Sequence, residues 1–220
     1  MSRGALVLSV GVLLVGCQPA GSVGPNRSPT AEFDAPGLAR EGSPVAFHGE
    51  AADPDHDPLT FTWDFGDGVA LETRHAAIQH VYRNNGSYSV ALIVTDPSGA
   101  ADTAARTITV ANVEPQITMF TVPATATAGV PFNVEIQYSD PGVDDTLTAS
   151  LWLWHGDSGE GGTLHGPAIV PFNLTDPGQY SVSIYVGDND GGSSYRQATI
   201  NVIAAATSTI VATGARQERP

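Results

Sequence analysis

The chain is a succession of short alternating runs. Leu59-Thr60-Phe61-Thr62-Trp63-Asp64-Phe65 places Leu59, Phe61, Trp63 and Phe65 on one face at period two. Val45 with Phe47, the series Tyr88, Val90, Leu92 and Val94, and the stretch from Arg106 to Val110 read the same way. So do Val130, Phe132, Val134 and Ile136, then Leu147 to His155, then Tyr180, Val182, Ile184 and Val186, then Ala198 to Val202. Each run is bounded by Gly, Pro, Asp or Asn, the residues that end strands and make turns. No stretch sustains a 3.6-residue period with caps, so the pattern predicts an all-β chain.

The runs repeat. Gly42 answers Gly129, Asp53-Pro54 answers Asp140-Pro141, and Gly66-Asp67 answers Gly156-Asp157. Gly86-Ser87-Tyr88-Ser89-Val90 answers Gly178-Gln179-Tyr180-Ser181-Val182, and Thr107-Ile108-Thr109-Val110 answers Thr199-Ile200-Asn201-Val202. Two tandem units are predicted, over 30–112 and 113–204, each the size of a single sandwich. Residues 17–29 are rich in Pro, Gly and Ser and read as a tether, and 205–220 as a polar tail. Pro115 restrains the short junction between the units.

Two local patterns point to a family. Trp63-Asp64-Phe65-Gly66-Asp67-Gly68 closes a strand on a sharp turn, and Gly86-Ser87-Tyr88-Ser89-Val90 opens a later one. Together they resemble the PKD domain, an immunoglobulin-like β-sandwich. Asp176 to Val182 is similar to the tyrosine corner of such folds, with Val182 where antibody domains carry a Cys. The resemblance implies two tandem PKD-type sandwiches that bind, space or adhere rather than catalyse. It is weaker in the second unit, where Trp152 to Asp157 departs from the motif.

The N-terminal segment changes the picture of where the chain works. Ala5 to Val15 is apolar but shorter than the roughly twenty residues a membrane helix needs. It suits the core of a secretory signal. Leu14-Val15-Gly16-Cys17 resembles a bacterial lipobox. That resemblance implies removal of residues 1–16, acylation of Cys17, and a membrane-anchored lipoprotein at the outer membrane or cell surface. Cys17 is the only cysteine, so no intramolecular disulfide is available and the sandwiches must stand on their cores.

Charge excludes one class of partner. The net charge is −14 with no Lys, a surface that repels nucleic acid and anionic lipid headgroups. Protein or polysaccharide at the cell surface remains the expected partner, besides the membrane reached through the lipid anchor.

Candidate chemistry is sparse. Asp53, Asp55 and Asp57 alternate in one loop, and Asp64 follows on the next strand. Converging carboxylates suit a hard cation, and resemblance to the calcium-binding PKD domains of collagenases implies Ca2+ here. Asp-Pro pairs also punctuate ordinary solvated turns, and spacing alone does not choose between the two. Aligning Gly156 with Gly66 turns Leu147, Ala149, Leu151 and Leu153 inward and leaves Trp152 and Trp154 outward, as a stacking platform for sugar rings. A register slip of one residue would bury them instead. The six His lie in no metal-binding spacing, and Gly-x-Ser-x-Gly and Walker motifs are absent. No enzymatic activity is expected.

Overall fold

The computed structural model describes residues 24–206. Cys17 and its neighbours, most of the tether and the end of the tail lie outside the described residues. Sixteen strands follow one another: β1 (Thr30–Asp34), β2 (Leu38–Arg40), β3 (Pro44–Ala52), β4 (Thr60–Asp64), β5 (Ala70–Thr73), β6 (Ala77–Val81), β7 (Gly86–Thr95) and β8 (Ala101–Ala111). Then come β9 (Gln116–Thr121), β10 (Thr125–Thr127), β11 (Phe132–Ser139), β12 (Thr148–His155), β13 (Ser158–Leu164), β14 (Ala168–Phe172), β15 (Gly178–Gly187) and β16 (Ser193–Ile203). No helix occurs among the described residues.

The repeat is a repeat of topology. The first eight strands form a three-stranded sheet β1-β3-β6 facing a five-stranded sheet β2-β8-β7-β4-β5. The second eight form β14-β11-β9 and β10-β16-β15-β12-β13, the same order strand for strand. Even the short parallel pairings match, β2 with β8 and β10 with β16. The fold is two immunoglobulin-like β-sandwiches.

Alternation supplies the cores. In the first, Trp63 is fully buried among Phe33, Phe47 and Phe65, with ring centroids 5.3, 5.6 and 6.4 Å away. Burying aromatic rings of this size contributes a few kcal/mol each, at about 25 cal/mol per Å² of apolar surface. In the second, Leu151, Leu153, Val182, Ile184, Val186 and Ile200 fill the equivalent space without an indole. The Tyr180 hydroxyl donates to the Asp176 carbonyl at 2.8 Å, and the Tyr88 hydroxyl to the Asn84 carbonyl at 2.8 Å. Each sandwich therefore carries a tyrosine corner in place of a disulfide.

Some strands fall differently from their sequence pattern. Val130 lies before β11 in a turn and is exposed, because Gly129 at φ +77° breaks the run ahead of it. The glycine-rich segment after His155 is no loop. Gly156 and Asp157 make a two-residue turn, with Gly156 at φ +58°, and Ser158 onward forms β13 against β12. Asn26 and Arg27, which composition places in the tether, bond into the first sandwich: Asn26 Nδ2 to Asp96 at 2.8 Å, and Arg27 to Asp55.

Candidate functional site

Three places gather the candidate residues: the outer face of β12, the loop before β4, and the junction of the sandwiches.

On β12, Ala149, Leu151 and Leu153 point into the core, so Trp152 and Trp154 point out. They are 43% and 44% exposed, with ring centroids 6.0 Å apart and planes 23° off parallel. The cause lies on the neighbouring strand. Trp152 is opposite Gly161 and Trp154 is opposite Gly159 in the β12–β13 register. A Cβ at Gly161 would come within 2.5 Å of the Trp152 ring, and one at Gly159 within 2.5 Å of the Trp154 ring. The indoles therefore lie flat over bare backbone, the aromatic-over-glycine packing that sheets tolerate. Tyr185 and Tyr195 pair across β15 and β16 on the same outer face, 48% and 59% exposed. Against the strand that follows, Trp152 and Trp154 stand where the first sandwich has Asp64 and Gly66, so β12 runs two residues longer before its turn than the Gly156–Gly66 alignment predicts, and this aromatic face belongs to the second sandwich alone.

The four loop carboxylates do not converge. Asp53 and Asp57 come together with Asp96, their oxygens within 4.8 Å of one another. Asp55 turns outward to Arg27, and the bonds from that guanidinium hold its carboxyl below the usual carboxylate range. Asp64 sits exposed on the outer face of β4 and accepts the Gly66 amide at 2.9 Å. Asp53 Oδ1 accepts the amides of Asp55 and Asp57, while Oδ2 is buried without a partner. Asp96 comes from the β7–β8 turn, far away in sequence, where no spacing argument could reach it. It accepts Asn26, Ser98 and Ala100, and the Asn26 bond leads in keeping its carboxyl low.

The second sandwich builds the same pocket. Asp140 Oδ1 accepts the Gly142 amide at 2.7 Å, and Oδ2 is buried without a partner, as in Asp53. Asp188 accepts Asn112 Nδ2 at 3.0 Å, as Asp96 accepts Asn26. Here a further acid enters. Glu41, just after β2 of the first sandwich, is fully buried and lies with Asp140 and Asp145, their oxygens within 4.8 Å. Burial pushes the carboxyls of Glu41, Asp140 and Asp145 up, and Asp145, beside Glu41 and Asp140, reaches about 6. Nothing in the sequence marks Glu41 beyond its place next to Gly42.

The histidines stay apart. His80 Nε2 lies 2.6 Å from Asp67 Oδ2 and stacks on Phe65 at 4.0 Å, which pins the Gly66-Asp67-Gly68 turn. His155 stacks on Tyr180 at 4.2 Å. Both contacts are structural packing.

A 90-residue segment is 38% identical to collagenase ColQ1 of Bacillus cereus (strain Q1), covering 40% of this chain and 9% of that protein. An 85-residue segment is 39% identical to the pre-pro-metalloprotease PrtV of Vibrio cholerae, covering 39% of this chain and 9% of that protein. The chain thus spans under a tenth of the length of these relatives. The crystal structure of the PKD1 domain from Vibrio cholerae PrtV is 37% identical, with 38% of this chain and 98% of that one covered, at a TM-score of 0.33. Residues 26–110, the first sandwich with its bonded lead-in, match the family of the PKD domain, a non-catalytic accessory module.

Proposed function

We propose that this chain is a non-catalytic binding module, exported and anchored through Cys17, that presents its second sandwich to polysaccharide. The observation that carries the reading is the pair Trp152 and Trp154. Two near-parallel, solvent-facing indoles held flat by Gly159 and Gly161 offer one continuous apolar strip. The C–H face of a pyranose ring stacks on such a surface, and its hydroxyls need polar neighbours. Tyr195 and Gln197 supply these beside the strip, with the Tyr195 hydroxyl donating to Gln197 Oε1 at 3.0 Å. An apolar patch fixed in place spends little ordering entropy on binding. The similarity to domains of collagenases and a metalloprotease supports an accessory role rather than turnover.

The test is affinity electrophoresis of the full chain through gels containing soluble β-linked glucans, xylan or glycol chitin, with a collagen-coated resin in parallel. Retention by a glycan that Trp152→Ala and Trp154→Ala each abolish, at unchanged melting temperature, supports the reading. Retention that survives both substitutions, or capture by collagen alone, ends it.

A second reading has its own observation. The unpartnered Asp53 Oδ2, gathered with Asp57 and Asp96, fits a calcium ion that would tie the lead-in at Asn26 to the first sandwich. A calcium-dependent rise in melting temperature that Asp96→Asn reduces supports it.

A further inference from the structure

Glu41 is a carboxylate fully buried at the junction of the two sandwiches. Its Oε1 accepts the Val113 amide at 2.6 Å, and its Oε2 has no partner. At the matching position of the second sandwich, before Gly129, stands Ala128, a small half-buried side chain. Glu41 thus places an acid of the first sandwich against the second. What it meets is more negative charge. A Cβ at Gly142 would lie 2.8 Å from Glu41 Oε2 and 2.6 Å from Asp145 Oδ2, so both carboxylates close over that glycine. Asp140 Oδ2 and both Asp145 oxygens are likewise buried and unpartnered. The neighbouring cation, Arg83, is spent on Asp144 at 2.8 Å.

Buried carboxylates without donors are costly, and each must take a proton or a cation. The donor set is all oxygen, the preference of a hard ion. Its mutual spacing, within 4.8 Å, is about twice the calcium–oxygen distance of roughly 2.3–2.6 Å. We propose that Glu41, Asp140 and Asp145 hold a calcium ion between the sandwiches, and that the bound ion locks their junction. Glu41 comes from one sandwich and the two aspartates from the other, so the ion is a bridge and not merely a ligand of one domain. This stands apart from the sugar face and from the Asp53 group, which involve other residues.

The experiment is calorimetric titration of calcium chloride into the full chain, paired with scanning calorimetry. Wild type binds calcium and melts at a higher temperature with it, as one cooperative unit. Glu41→Gln, which keeps shape and removes a buried charge, weakens binding by about tenfold or more and splits the transition in two. Asp145→Asn does the same from the other sandwich. Asp96→Asn leaves junction binding in place, which separates this site from the first. Three results overturn the proposal: no calcium heat in wild type, binding lost in Asp145→Asn but retained in Glu41→Gln, or all binding lost in Asp96→Asn.

Discussion

Trp152 lies directly across from Gly161, its ring filling the space where a side chain at that position would stand. Substituting Gly161→Val should therefore lift the indole off the sheet. Overpacking of this kind costs about 1–3 kcal/mol. The expected result is a lower urea midpoint, a red-shifted tryptophan emission, and loss of glycan retention. Trp152→Ala, by contrast, removes a half-exposed ring and should leave the midpoint within about 1 kcal/mol while losing retention. The pair separates fold from binding.

The tyrosine corners should be measurable one at a time. Tyr180→Phe removes the bond to Asp176, and Tyr88→Phe the bond to Asn84, without touching the packed rings. Each should lower stability in urea unfolding by about 1 kcal/mol, the net worth of one such bond. Neither should change retention on glycan gels.

Gly42 and Gly129 occupy matching turns at φ +67° and +77°. Open space surrounds Gly129, whereas a Cβ at Gly42 would meet the Pro141 carbonyl of the second sandwich at 2.6 Å. Gly129→Ala should cost only the left-handed strain, about 1–2 kcal/mol. Gly42→Ala should cost more and force the junction apart, read as two separated transitions in scanning calorimetry.

The acidic junction gives a pH dependence with a definite sign. Burial, with Glu41, Asp140 and Asp190 alongside, pushes the Asp145 carboxyl up to about 6 in the fold from 3.8 in the free side chain, and Arg83 is already paired to Asp144. The folded state then holds the proton more tightly than the unfolded one. In calcium-free buffer this group favours the fold at low pH, and that contribution is lost as pH rises from about 4 through about 6. Asp55, Asp96 and Asp144 are shifted downward by their partners and oppose it, losing stability only as pH falls below the unfolded carboxylate range. Asp145→Asn should flatten the melting-temperature profile between pH 4 and 6. With calcium present, the same window should instead show melting temperature rising with pH, because the ion displaces the proton.

Four strands of each sandwich could be read from alternation, and four could not. β3, β4, β7 and β8, like β11, β12, β15 and β16, bury one face against the opposite sheet, so their apolar positions recur at period two. β5, β10 and β13 lie at sheet edges and bury little. β13 carries three glycines in seven residues and is almost wholly exposed, and its pairing is explained by the indoles that lie over two of those glycines across the register. The outward direction of Trp152 and Trp154 could be read because the residues between them, Leu151 and Leu153, are plainly core.

The acidic pockets were beyond such a reading. Asp53 and Asp57 are near each other in the chain, but Asp96 reaches them only because β7 runs antiparallel beside β4. Asp55 and Asp64 alternate with the right spacing and yet face Arg27 and solvent. Glu41 acquires its meaning wholly from a second domain. Periodicity along one chain reports which face of a strand avoids water, because that is a local property of neighbouring side chains. Which acids share a pocket depends on strand crossings and on how one folded unit meets the next, and those are set by packing between segments that the linear pattern keeps apart.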